Sequence, residues 1–401
     1  MIQGHGDDAY RFERPIRADF SSNVYSHLDL VPLKEHLRSK LDVIGHYPEP
    51  EPYRLEAALA GQLGQYDSQV MVTAGATEAI YLIAHAFSGC RSDILQPTFS
   101  EYGDACRMYG HEILRSAQED KEGAQEEMGA DLAAMPRATD GLAPAPLQTP
   151  FFARQKGQPR EVGHNVALRH SAKSDHETDS IKPAFADTDL FWMCNPNNPD
   201  GYVMPKEALT SVIESHRETV FVIDQSYGFF TREPLLSAAE AARYPNVLQL
   251  HSMTKRYAMP GLRLGYVTGN ADFIALLREV RMPWSVNALA IEAGLYLMEH
   301  PDTAPIDLDA LLAEAARLRD ELNAIPGLSV EPTQTHFMLC KLAEGKAADL
   351  KEWLACERGL LIRDASNFEG LGEGCFRIAT QTAEENDMLV RAIRAWQEAR
   401  R

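Results

Sequence analysis

Between residues 45 and 290, short apolar runs alternate with amphipathic stretches. The runs are "SQVMVTAG", "SDILQPTF", "DLFWMCNPN", "VFVIDQSY", "VLQLHSMTK" and "LGYVTG". They tend to give way to Gly, Asn, Asp or Ser. Apolar runs this short read as strands buried on both faces. Strands alternating with helical stretches predict an α/β domain: a mostly parallel sheet flanked by helices. In such sheets ligands gather beyond the carboxyl ends of the strands. The polar residues that close these runs are therefore the first candidates for chemistry.

The pattern changes after residue 290. "DLDALLAEAARLRDELNAI" has the apolar spacing of an amphipathic helix. Strand-like "FMLCKL", helical "AADLKEWLACERG", strand-like "CFRIAT" and a closing helix "AEENDMLVRAIRAWQEARR" follow. This predicts a smaller α+β domain over 291–401, joined by an N-terminal segment, 1–44, and a large domain over 45–290. Residues 115–186 break the large domain's pattern. They are rich in Ala, Gln, Glu and Pro with little periodicity, which reads as an insertion. His164, His170, Asp175 and His176 in it match no usual ligand spacing. We expect solvated loop residues there, and no metal.

Composition narrows the options. The chain has 401 residues, 45% hydrophobic and 24% charged, with a formal charge of −19. Nothing forms the basic face that a nucleic-acid binder or an anionic-membrane binder needs. No run is long enough to span a bilayer. The beginning "MIQGHGDDAY" lacks the basic and apolar regions of a signal peptide. The six cysteines form no C-x-x-C pair and read as reduced thiols of a cytoplasmic protein. An anionic ligand must therefore be held by a local cluster of donors.

Four strand ends supply such donors. After "VMVTAG", Ala76 and Thr77 open a helix striped with Ile80, Ile83, Ala84 and Phe87. A helix start exposes backbone N–H groups and a positive dipole end, suited to a phosphate. Alone, the same turn serves as a tight connection capped by Thr77. It is not a Walker loop, and "GHGDDA" lacks the preceding strand of a dinucleotide fingerprint. "CNPNNPDG" stiffens Asn198 between prolines. "VFVIDQSY" places Asp224 at a strand end with Tyr227 three residues on. "HSMTKRYAMPGLRLGY" surrounds Lys255 with Ser252, Thr254 and Arg263. Neighbouring positive charge and desolvation lower a lysine's pKa and favour Schiff-base chemistry. Taken one by one, these features also read as turns and a solvated lysine. Together, in chain order, they suit pyridoxal 5'-phosphate. Its phosphate would lie at Ala76, Thr77, Ser252, Thr254 and Arg263, and its ring nitrogen at Asp224. Asn198 and Tyr227 would face the ring oxygen, and Lys255 would carry the aldehyde.

With these motifs the chain resembles the fold-type I pyridoxal phosphate enzymes of the aspartate aminotransferase superfamily. Within them it resembles the branch of histidinol-phosphate aminotransferases and L-threonine O-3-phosphate decarboxylases. "HYPEPEPYRLEAAL" is similar to a segment of that branch, which implies that Tyr47 reaches the cofactor phosphate of a second subunit in a homodimer with shared active sites. "PTFSEYGDA" implies that Tyr102 lies against the ring face. "HGDD", "DFSSNV", "RMPWSVNALA" and "IRDASNFEGL" look like the decarboxylase. They imply a phosphorylated amino-acid substrate gripped by His5, Asn23, Arg363 and Arg377. The resemblance implies decarboxylation of phosphothreonine, or transamination by the same residues. A cofactor-binding regulator without turnover is a further option, against which the intact Lys255 argues. Two motifs depart from the family: "NPDG" stands for N-P-T-G and "DQSY" for D-E-A-[FY]. Asp200 and Gln225 thereby alter the surroundings of the expected ligands. Asp7 and Asp8 also add negative charge near the expected phosphate.

Overall fold

The structure is a computed structural model that describes residues 6–116, 188–303 and 305–400. His5 and nearly all of the expected insertion, with His164, His170, Asp175 and His176, lie outside the described residues. In chain order the strands are β1 (Ala18–Asp19), β2 (Val70–Thr73), β3 (Arg91–Ile94), β4 (Glu112–Ser116), β5 (Leu190–Cys194), β6 (Val220–Asp224), β7 (Val247–Ser252), β8 (Gly265–Gly269), β9 (Leu328–Val330), β10 (Phe337–Leu342), β11 (Leu360–Leu361), β12 (Arg363–Asp364) and β13 (Cys375–Ala379).

The large sheet runs β2-β8-β7-β6-β5-β3-β4. Every neighbouring pair is parallel except the two made by β8. β5 and β6 are buried along their whole length, as their unbroken apolar runs require. The helix Ala76–Ala86 lays Ile80, Ile83 and Ala84 into the same core. The antiparallel β8 was not legible in the runs. Its cause is the link from β7, which holds only a single-turn helix, Met253–Arg256, and a short 3-10 turn. A parallel crossover usually spends a full helix on the return; here the chain simply turns back. Lys255 follows β7 and Arg263 precedes β8, so both emerge at one sheet edge. β2 ends at that edge too, with Thr73 opposite Gly265.

The smaller unit has the antiparallel sheet β12-β13-β10-β9 and the parallel pair β1-β11. Helices Leu308–Asn323 and Ala383–Glu398 cover it, packing Leu318, Leu322, Leu389, Ile393 and Trp396 against Met338 and Ile378. Asp307 caps the first helix. Thr382 and Glu385 form a capping box on the second. Residues 18–20 bridge the two sheets of this unit: Phe20 N–H donates to Leu361, and its carbonyl accepts from Ala379. The division expected at 290/291 falls inside the helix Ala288–Glu299. That helix packs Ala290, Ile291 and Leu297 with Leu55, Val70 and Val72 beside the large sheet. The helix Val31–Ser39 lies within the 1–44 segment expected to join the small domain, and it adds Leu33 to the same cluster. All six cysteines are free; five are buried and Cys356 is exposed. Among the described residues no helix is long and apolar enough to cross a membrane.

Candidate active site

One cavity opens at the carboxyl edge of the large sheet, against the small unit. Asp224 closes β6 and is buried. It accepts from the Tyr102 hydroxyl at 2.8 Å and from Ser226 N–H at 2.8 Å. Burial pushes its pKa up, against these hydrogen bonds and the charge of Lys255. Asn198 sits on the turn after β5. Asn195 staples that turn through its amide to Met204. Asp200 and Gln225, the two departures, both make contacts near their own turns. Asp200 accepts from Asn197 at 2.9 Å and from Tyr202 N–H at 3.1 Å; Gln225 donates to the Leu236 carbonyl at 3.0 Å. Neither lines the cavity. Tyr227 reaches across to the small unit and packs its ring on Phe337 at 4.8 Å.

The opposite wall is the start of the helix Ala76–Ala86. Gly75 precedes it at φ +85°, a left-handed conformation that glycine takes at little cost. A Cβ there would stand 2.6 Å from Arg263 Nη2. A Cβ on Gly265 would stand 2.8 Å from the Ala76 nitrogen. The two glycines thus allow Arg263 and β8 to press against the helix start. Ala76, Thr77, Ser252, Thr254 and Arg263 line the cavity together. Ser252 and Thr254 hydrogen-bond to each other through their hydroxyls. Lys255, half-buried between these walls, donates to the Ser22 carbonyl at 2.9 Å. Burial, then Arg377 and Arg263, lower its pKa to about 8.

Arg363 and Arg377 close the third side, each only 5% exposed. Arg377 donates to Asn198 Oδ1 and to the Ser21 carbonyl. Arg363 donates to the Asp364 carbonyl at 2.7 Å and to Asn367 at 2.8 Å. Burial and its Arg377 neighbour lower the Arg363 pKa to about 10, and burial lowers that of Arg377. Asp7 lines the cavity, whereas Asp8 turns away to pair with Lys351 at 2.7 Å.

The cavity thus gathers twelve residues expected from sequence: Ala76, Thr77, Tyr102, Asn198, Asp224, Tyr227, Ser252, Thr254, Lys255, Arg263, Arg363 and Arg377. Tyr102 engages Asp224 through its hydroxyl and stacks its ring on Trp192 at 5.7 Å. The sequence had not suggested that contact. Asn23 does not line the cavity; it is fully buried behind it, its amide without a hydrogen-bond partner among the described residues. Tyr47 stands elsewhere, 86% exposed, with its ring 5.6 Å from Trp284. Sequence reasoning missed Ser21 and Ser22, although both belong to the quoted "DFSSNV". The donor set fits a phosphorylated, cationic-ring aldehyde. A helix start with Arg263 suits the phosphate, a buried carboxylate suits the ring nitrogen, and a lysine of lowered pKa suits the aldehyde.

Comparisons with known proteins point the same way. Residues 16–393 match the family model for aminotransferase class I and II. The threonine-phosphate decarboxylase of Salmonella typhimurium is 29% identical over 380 residues, covering 94% of this chain and 90% of that protein. The crystal structure of L-threonine-O-3-phosphate decarboxylase from Porphyromonas gingivalis superposes with a TM-score of 0.77 at 33% identity, covering 94% of this chain and 99% of that one. The fold is also that of histidinol-phosphate aminotransferase from Sinorhizobium meliloti in complex with pyridoxal 5'-phosphate. There the TM-score is 0.70 at 17% identity, with 98% and 95% of the two chains covered. The chain belongs to the class I and II aminotransferase family and is a pyridoxal 5'-phosphate enzyme.

Proposed function

We propose that this chain decarboxylates L-threonine O-3-phosphate to 1-aminopropan-2-ol O-phosphate, a step toward the cobalamin side arm, as a cytoplasmic homodimer with shared active sites. The observation that carries the reading is the pair of buried arginines, Arg363 and Arg377, in the wall of the lysine's cavity. Two such cations suit a substrate with both a phosphate and a carboxylate. The near full-length match to a threonine-phosphate decarboxylase supports it.

In this reading Ala76, Thr77, Ser252, Thr254 and Arg263 hold the cofactor phosphate. Asp224 holds the ring nitrogen, aided by Tyr102, while Asn198 and Tyr227 hold the ring oxygen. Lys255 carries the aldehyde. When bound, the cofactor supplies an electron sink for whichever Cα bond stands perpendicular to its ring. The substrate's rotation therefore decides which Cα bond breaks first, and Arg363 and Arg377 set that rotation by fixing its two anionic ends. Tyr47 completes the phosphate site of the partner subunit.

A histidinol-phosphate-type aminotransfer is the second reading. Asp7 favours it, because a carboxylate on the cavity wall offers an acceptor to an imidazole N–H. The test gives the purified protein phosphothreonine and, separately, histidinol phosphate with 2-oxoglutarate. CO2 release that needs no keto acid is the expected result. Glutamate formation from histidinol phosphate, with no CO2 from phosphothreonine, overturns it.

A further inference from the structure

The carbonyl that receives Lys255 belongs to a turn over residues 21–23, and that turn is held from several sides. Ser21 donates to Asp19 Oδ1 twice, from its N–H at 2.7 Å and from its hydroxyl at 2.6 Å. The Asp7 N–H donates to the Ser21 hydroxyl at 2.7 Å. Arg377 donates to the Ser21 carbonyl. Gly6 packs on that same carbonyl so closely that a Cβ would fall 2.2 Å from its oxygen. Asn23 ends the turn at φ +53°, a left-handed conformation Asn tolerates better than most residues. Ser21 is fully buried and its hydroxyl is the hub of the arrangement. All of this rigidity is spent on a turn whose outward product is one carbonyl, that of Ser22, facing Lys255 at 2.9 Å.

The state of the free lysine matters because the two reactions at Cα ask opposite things of it. When the carboxylate leaves as CO2, the electron pair of the broken bond stays on the Cα side, and the product needs a proton on Cα. A charged Lys255 delivers that proton, becomes neutral and regains one from solvent. Amine transfer begins instead with a neutral Lys255 removing the Cα proton. A hydrogen-bond acceptor fixed on the amine favours its charged form. The other charges facing the amine divide. Arg377 from β13 and Arg263 before β8 oppose the charged form. Asp7 and Asp19 on the N-terminal segment and Asp224 at the end of β6 support it. His336, buried nearby with its pKa lowered to about 3, stays neutral.

We propose that Ser21 is a positioning residue: by fixing the Ser22 carbonyl on Lys255 it holds the free amine as a proton donor and so directs the site toward protonation at Cα after carboxylate loss, and away from amine transfer. The direction of this effect rests on the decarboxylase reading; the hold on the lysine does not.

The experiment compares wild type with Ser21→Ala, Ser21→Thr and Gly6→Ala. Gly6→Ala presses on the Ser21 carbonyl from the N-terminal segment and keeps the Ser21 hydroxyl, so it serves if Ser21→Ala does not fold. Cofactor-free protein is treated with formaldehyde and cyanoborohydride at a series of pH values, and methylation of Lys255 is followed by mass spectrometry. We expect a wild-type midpoint near 8, lowered by about one pH unit in Ser21→Ala and Gly6→Ala and restored in Ser21→Thr. In holoenzyme given phosphothreonine, we expect the share of turnovers ending in amine transfer to rise about tenfold in the same two variants. An unchanged midpoint and an unchanged share, with kcat merely lower, overturn the proposal. Wild type that transfers amine and releases no CO2 overturns the decarboxylase reading, while the midpoint, measured without substrate, still judges the hold on Lys255.

Discussion

Arg363 and Arg377 are direct cross-strand partners on β12 and β13, both buried, and neither makes an ion pair among the described residues. Like charges opposite each other destabilise a sheet. Buried unpaired cations are costlier still. Arg377 also keeps its Nε without a hydrogen-bond partner among the described residues. The pair makes physical sense as a receptor for an anion that arrives with the substrate.

Replacing Arg363 with Met removes one charge-assisted contact, worth about 1.5–3 kcal/mol. The KM for phosphothreonine should therefore rise about tenfold to a hundredfold. Inorganic phosphate should raise the Tm of wild type and do so less in the variant, since an anion stabilises only the form that binds it. Steady-state kinetics and thermal melts with and without phosphate read both effects. An unchanged KM would remove Arg363 from the substrate site.

Gly75→Ala tests the phosphate wall. The positive φ strains any Cβ, and this Cβ would meet the Arg263 guanidinium at 2.6 Å. Arg263 must move out of its place beside Ala76. We expect cofactor affinity to fall about tenfold or more with a stability loss of about 1 kcal/mol. Equilibrium dialysis of the cofactor and denaturant melts separate the two.

Lys255 gives a pH dependence. Its pKa is lowered from the ordinary lysine value to about 8, with burial the largest cause. Only the neutral amine attacks an aldehyde, so cofactor loading onto the apo protein should speed up as pH rises through about 8 and then level off. An ordinary lysine would still be gaining rate two units higher. Stopped-flow absorbance of added pyridoxal 5'-phosphate follows the loading, and Lys255→Ala should abolish the visible band that wild type develops.

Much of the cavity's lining was legible because several of its residues close or directly follow a strand of strong apolar pattern. Asp224 ends β6 and Lys255 follows β7, so finding the strands located the residues. Their roles depend on side-chain chemistry that the residue types already state. What stayed hidden depends on chain direction and on backbone atoms. β8 reads as another apolar run, and only the short link from β7 makes it antiparallel and brings Arg263 beside Gly75. The Tyr102 hydroxyl reaches Asp224 across 122 positions of sequence, a pairing no local pattern carries. Ser22 acts through a carbonyl, which every residue possesses. Asn23 was expected to touch substrate; its side chain is fully buried, and its left-handed backbone shapes the turn, which no residue pattern states.

Tyr47 yields the test of shared active sites. It is 86% exposed with its ring beside the exposed Trp284, and exposed Ile44 and Met282 lie within three residues of the two along the chain. Exposed apolar groups clustered this way mark a contact surface. If Tyr47 completes the partner's phosphate site, Tyr47→Ala should fold normally, still dimerise and bind cofactor more weakly. Lys255→Ala should be inactive at any cofactor concentration. Mixed in one dimer, the two defective chains build one doubly damaged site and one intact site, because the intact Lys255 comes from one chain and the intact Tyr47 from the other. Random mixing in equal amounts should then recover about a quarter of wild-type activity at limiting cofactor, as two-fold symmetry requires. Recovery no greater than the sum of the separate variants would show that each chain carries its site alone.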